Sequence, residues 1–250
     1  MRNKLKAIGM GLFRWCMRHK VWTAVILVLG VLSITPIIII TRTWFIVHTD
    51  QRPAALPASY ALEEQTEGFT CGIHALSTVY KAYGLDPEAE RIRWRLGVDT
   101  KAVAWMGDST GALHPDMWMV LVQDFFSIHL PSDYGEAGWS EMREHMKHGH
   151  PAVLLIKRRE NGNLHWVVAT RTLDDDKIEV YDSLFDEPYA EASDFLTDHI
   201  VTTMLIRPST TGEQATSSID AHLAGMAALK DATRRIKALE GAETGNEPAQ

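Results

Sequence analysis

Apolar positions along this chain follow two rhythms, a helical one in its middle third and a strand-like one after it. Ile73, Leu76, Tyr80 and Tyr83 recur at i, i+3, i+7 and i+10. They mark one face of a helix that opens at Cys71-Gly72 and stops at Gly84. Asp86-Pro87-Glu88 reads as N-cap, first helical residue and first-turn acid of a second helix ending at Gly97. Residues 98–113 carry no period. A third helix starts at His114-Pro115-Asp116 and runs to about Phe126, with a short strand at Ile128–Leu130. Ser140 caps a further helix through Lys147.

From Pro151 the pattern changes. Pro151–Lys157 is a continuous apolar run of buried-strand type, and Asn161-Gly162 centres a turn. Leu164–Thr172 is a second strand, Asp174–Asp176 a second turn, and Ile178–Tyr181 a third strand. A helical segment at 190–198 precedes a fourth strand, Ile200–Ile206. Helices first and an antiparallel sheet second is an α+β pattern over residues 60–208.

Three segments lie outside that domain. From Val21 to Thr41 there is no charge, and most residues are Val, Ile or Leu. About 21 such residues suffice to span a bilayer as a helix, and Pro36 is tolerated in one. No small-x-small cleavage site follows directly. The expectation is one uncleaved transmembrane helix over 21–41, with Trp22, Trp44 and Phe45 as interfacial anchors. Residues 1–20 hold Arg2, Lys4, Lys6, Arg14, Arg18 and Lys20 and no acid. The positive-inside rule places that segment in the cytoplasm and the domain in the periplasm or outside, as a single-pass protein of the cell (inner) membrane. Residues 42–59 form a linker, and 209–217 a second, Ser/Thr/Gly-rich one. Ile219, Leu223, Met226, Leu229 and Ile236 have near-heptad spacing, which predicts an amphipathic helix over 219–240 for packing or self-association. The last ten residues read as a disordered tail.

Composition sharpens this. The 250 residues carry 25 Lys and Arg against 32 Asp and Glu, a net charge of −7. The basic excess lies before the apolar run, so the domain is acidic, which argues against nucleic acid as a partner. The two cysteines, Cys16 and Cys71, fall on opposite sides of the expected membrane and cannot pair within one chain. A thiol left over in an exported domain is a reactive group or an intermolecular bridge, the plain alternative being a small buried core residue.

Cys71 sits where a polar loop enters a helix, and helix N-termini favour a thiolate. His165 opens the second strand directly after a turn. Asp182 leaves the end of the third, so adjacent antiparallel strands can set the two side by side. The constellation is Cys71 as nucleophile, His165 as base and proton donor, and Asp182 orienting the imidazole. Gln65, six residues before Cys71, can reach back and form an oxyanion hole with the Cys71 backbone N–H. No metal or organic cofactor is needed. His74, one turn beyond Cys71, reads as a packing or rim residue. His145, His148 and His150 lack the acid or Cys cluster of a metal site, and Asp174–Asp176 reads as a charged turn.

The stretches Gln65-x5-Cys71-Gly72, Gly149-x-Pro151-Ala-Val-Leu-Leu, His165-Trp-Val-Val and Val180-Tyr-Asp182 together resemble the C39 family of papain-like cysteine peptidases, known as bacteriocin-leader-processing domains of ABC exporters. The resemblance implies a papain-like fold with the nucleophile helix packed on an antiparallel sheet, Gln65 as oxyanion residue, and a peptide or protein substrate. Ser183 stands where the family commonly has proline, with little consequence expected for the carboxylate. Two alternatives share these residues: a catalytically silent peptide-binding domain acting as scaffold or exporter partner, and an acyl-transferring, transglutaminase-like enzyme.

Overall fold

The computed structural model describes residues 24, 28–30, 51–65, 67–86, 88–98, 111–112, 114–174, 176–210 and 218–245. The chain divides into two units, Met1–Val47 and His48–Gln250. Of the first, only Ala24 and Val28, Leu29 and Gly30 are described, and they are helical and exposed.

The expected fold class needs one correction here. Among the described residues no helix is long and apolar enough to cross a membrane. The rest of the 21–41 run lies outside the described residues. Among the described residues the fold is α+β with an antiparallel sheet and includes no membrane-spanning helix. That expectation rested on apolar length and lack of charge alone.

The second unit contains, in order, α1 (Cys71–Ala82), α2 (Ala89–Leu96), α3 (His114–Gln123), β1 (Phe126–His129), α4 (Glu136–Lys147), β2 (Ala152–Lys157), β3 (Leu164–Asp174), β4 (Lys177–Tyr181), β5 (Tyr189–Ala192), α5 (Ser193–His199), β6 (Ile200–Pro208) and α6 (Ser218–Gly245). The strands form one six-stranded sheet in the order β1-β6-β2-β3-β4-β5, each adjacent pair antiparallel. Both faces are covered, which is why β2 reads as an unbroken apolar run. Val153 and Leu155 of β2, with Trp166 and Val168 of β3, join the core that includes α1, α2, α3 and α6. Leu154 and Ile156, with Val167 and Ala169, point the other way into a core with Trp139, Met142 and Met146 of α4.

Several boundaries differ from the sequence reading for local reasons. The third helix stops at Gln123 because Phe125 takes a left-handed φ of 65°, and Phe126 then begins β1. In α4 the first turn is stabilised by Asp133, whose Oδ1 accepts from the N–H of Gly135 and Gly138, so the helix begins at Glu136 and not at Ser140. The N-cap of α2 is Glu88, not Asp86. Residues 190–198 divide between strand β5 and helix α5.

The 219–240 helix is present as α6 and lies against α3 and β6. Its inward face is not the near-heptad stripe. Ala221, Gly225, Ala228 and Ala232 are buried, whereas Ile219, Leu223 and Met226 are 68%, 60% and 46% exposed. Small residues win because the helices approach closely. A Cβ on Gly225 would lie 2.5 Å from the Pro115 Cα.

One buried ion pair ties the helical layer together. Arg95 of α2 forks onto Asp124, just past α3, with Nη2 donating to Oδ1 at 2.8 Å and Nη1 to Oδ2. The Tyr80 hydroxyl of α1 donates to the same Oδ2 at 2.6 Å. Arg95 and Asp124 are 3% and 1% exposed. Removing one partner leaves an uncompensated buried charge. Arg95→Met is therefore expected to lower stability by about 3–5 kcal/mol in a denaturant titration, and Tyr80→Phe by about 1 kcal/mol.

Candidate active site

Cys71 is the first residue of α1, and Thr70, the N-cap, makes no side-chain capping bond. The first-turn amides of a helix have no carbonyl partner within it, so the Cys71 N–H is available to a ligand by position. The loop before it is fixed from both ends. Arg93 of α2 pairs with Glu67 (Nη2 to Oε2, 2.9 Å) and lies over the Phe69 ring. Residues 61–65 run along α1, where Ser77 Oγ donates to Glu63 and Thr78 Oγ1 to the Ala61 carbonyl. Glu63 also holds Lys81.

Gly72 is required by contact. A Cβ there would lie 2.5 Å from the Ala112 Cβ and 3.3 Å from Cδ1 of Trp166. The helix N-terminus therefore rests directly on β3, and Trp166 is held from behind by its Nε1–H donating to the Ala112 carbonyl at 3.0 Å. His165 precedes that tryptophan. Its Nε2–H donates to Asp182 Oδ1 at 2.6 Å, and Cys71 is near enough to favour the charged ring. Asp182 Oδ1 accepts a second bond from the Leu184 N–H at 2.9 Å, which fixes the carboxylate. Cys71, His165 and Asp182 are 6%, 4% and 3% exposed. Burial disfavours the imidazolium, but the bond to Asp182 and the nearby Cys71 outweigh it and raise the His165 pKa to about 9.

Gln65 is half-buried beside this set, held at both backbone and side chain by the residue after Asp182. The Gln65 N–H donates to the Ser183 carbonyl, and the Ser183 hydroxyl donates to Gln65 Oε1, both at 2.9 Å. Because Oε1 accepts from Ser183, the amide Nε2 lies on the other side of the carboxamide from that bond. Ser183 is thus a member of the site that the sequence reading passed over. Its position directly after Asp182, in place of proline, was the available signal. The structure brings together the four expected site residues: His165 bonds Asp182 and lies near Cys71, and Gln65 is tied to the same turn through Ser183.

The other histidines have other tasks. His74 faces Glu63 at 3.8 Å. His145 spends Nε2 on the carbonyls of Pro151 and Ile206, and His150 Nδ1 meets the Tyr83 hydroxyl. Among the described residues no cluster of three or more His, Cys, Asp or Glu is arranged to hold a metal ion.

No family model matches the sequence, and no curated protein matches it. Solved structures of C39 peptidase domains are similar in fold. The peptidase domain of Streptococcus ComA, a bi-functional ABC transporter of a quorum-sensing pathway, matches over 60% of this chain and 100% of that one, at 12% identity and a TM-score of 0.47. A double-glycine-motif protease from an AMS/PCAT transporter, solved with its leader peptide, matches over 64% and 100%, at 13% identity and a TM-score of 0.46. A protein of Bacillus anthracis described as a C39-like peptidase matches over 65% and 100%, at 12% identity and a TM-score of 0.49.

A histidine with a raised native pKa stabilises the fold fully below its unfolded value near 6.5. That contribution is lost as pH rises through about 9. The His165 ring signals, assigned by comparison with His165→Gln, should titrate near 9 in the wild type. In Asp182→Asn the midpoint should fall toward 6.5. A wild-type midpoint near 6.5 would show that the Asp182 bond does not hold the proton.

Proposed function

We propose that this chain is a cysteine peptidase that cleaves a peptide bond by Cys-His-Asp catalysis. The observation that carries the reading is the position of His165, hydrogen-bonded to Asp182 and near enough to Cys71 for the two to interact electrostatically. In this reading the Cys71 sulfur attacks the scissile carbonyl carbon, and the carbonyl π electrons move onto oxygen. The resulting oxyanion is met by the Cys71 backbone N–H and the Gln65 amide, which Ser183 keeps turned in the donating sense. The His165 imidazolium gives its proton to the leaving amine as the C–N bond breaks, leaving an acyl thioester on Cys71. His165, now neutral, takes a proton from water as that water attacks the thioester, and the carboxylic acid product leaves with Cys71 restored. Asp182 holds the ring orientation throughout. The peptide class of substrate rests on the sequence motifs and on this mechanism.

Peptide cleavage, followed by mass spectrometry against a defined peptide mixture, tests the assignment. Cys71→Ala should abolish product. Gln65→Ala should lower kcat by about 10²-fold with KM little changed, as for loss of one oxyanion donor. Ser183→Ala should lower kcat by a smaller factor, on the order of tenfold, and Ser183→Thr should restore most of it. Full cleavage by Cys71→Ala would refute the mechanism.

A further inference from the structure

Helix α6 is the element that the mechanism leaves without a task, and it reaches the site. A cavity of about 460 Å³ opens at Cys71, within the size range of small-molecule sites. Trp166 and Leu155 line it from the sheet, Phe69 from the loop before Cys71, and Leu229, Ala232 and Ile236 from α6. The placement follows from how the helix is seated. Gly225 brings α6 onto Pro115, and Ala228 and Ala232 continue the buried face along the helix. Leu229, Thr233 and Ile236, at i, i+4 and i+7, run along the edge of that face and border the cavity. Leu229 and Ile236 are half-buried there, unlike the exposed Ile219, Leu223 and Met226 nearer the start of the helix.

Among the described residues no Asp, Glu, Lys or Arg borders the cavity. Its one histidine, His114, is 1% exposed, and burial lowers its pKa to about 4, so it is neutral at pH 7. A charged side chain entering this space would be desolvated against Trp166, Leu155 and α6, whereas an apolar one would bury its surface there.

We propose that α6 is a wall of the substrate cleft, and that Leu229, Thr233 and Ile236 set a subsite beside Cys71 for a bulky, uncharged apolar side chain of the peptide. This rests on the peptidase reading of Cys71. It adds the side-chain preference and assigns it to the C-terminal helix.

The test reads Cys71 chemistry without requiring turnover. The full chain, carrying Cys16→Ser so that Cys71 is its one thiol, is treated with N-blocked glycyl, leucyl and glutamyl chloromethyl ketones. In each case the Cys71 sulfur displaces chloride at the ketone's methylene carbon, forming a thioether and releasing chloride. Rates are followed by intact-protein mass spectrometry and divided by the iodoacetamide rate, which cancels intrinsic thiol reactivity. The leucyl reagent should react about tenfold or more faster than the glycyl one, and the glutamyl reagent no faster than the glycyl one. Thr233→Trp, at an exposed position on the cavity edge, should bring the leucyl rate to within about twofold of the glycyl rate, each divided by the variant's own iodoacetamide rate. Circular dichroism should confirm that this variant is folded. Equal leucyl and glycyl rates in the wild type, or an unchanged ratio in folded Thr233→Trp, would overturn the subsite. An iodoacetamide rate indifferent to His165→Ala would count against the peptidase reading separately, because the leucyl-to-glycyl ratio judges the subsite on its own.

Discussion

The close approach of the α1 N-terminus to strand β3 is the constraint on which the site depends. Gly72 allows it, since any Cβ there would meet Ala112 and Trp166. Trp166 is fixed in turn by its bond to the Ala112 carbonyl. That contact sets Cys71 beside the residue preceding Trp166, which is His165. The reactive pair therefore follows from backbone packing, with no long flexible side chain needed to bridge the elements. Both layers are rigid where it matters: β3 is buried on both faces, and α1 is tied to α2 and the end of α3 through the Tyr80–Asp124–Arg95 network.

One short turn serves two halves of the chemistry. Asp182 leaves β4 and bonds His165, with its own oxygen held by the Leu184 N–H. Ser183, the residue between, holds Gln65 by a backbone and a side-chain bond. In the proposed mechanism the carboxylate that orients the imidazole and the hydroxyl that orients the oxyanion donor are thus adjacent in sequence. A shift of this turn would disturb both proton transfer and oxyanion stabilisation, so the two are expected to be coupled rather than additive.

Much of the site was legible in the sequence because its signals are local. A cysteine followed by glycine at a helix start, a histidine just after an Asn-Gly turn and an acid at the end of the next strand are each readable from spacing. The antiparallel register that joins His165 to Asp182 follows from the short turns. What escaped the reading depends on tertiary packing. The inward face of α6 is made of alanine and glycine because α3 comes close, so hydrophobicity pointed to the wrong stripe. Arg95 and Asp124 are ordinary polar residues until the fold buries them against each other. Strand β5 is only four residues and pairs at a sheet edge, where sequence periodicity is weak. The Ser183 hydroxyl mattered through a partner more than a hundred residues away in sequence.

The central claim is that His165 activates Cys71, and one rate tests it most directly. Cys71 alkylation by iodoacetamide would be measured in the full chain at pH 6–7, in the wild type, His165→Ala and Asp182→Asn. Cys16 would be replaced by Ser so that a single thiol is read. The account predicts a rate that falls about tenfold or more in His165→Ala, with a smaller loss in Asp182→Asn. Equal rates in all three proteins would contradict it, because Cys71 would then be reacting without its histidine.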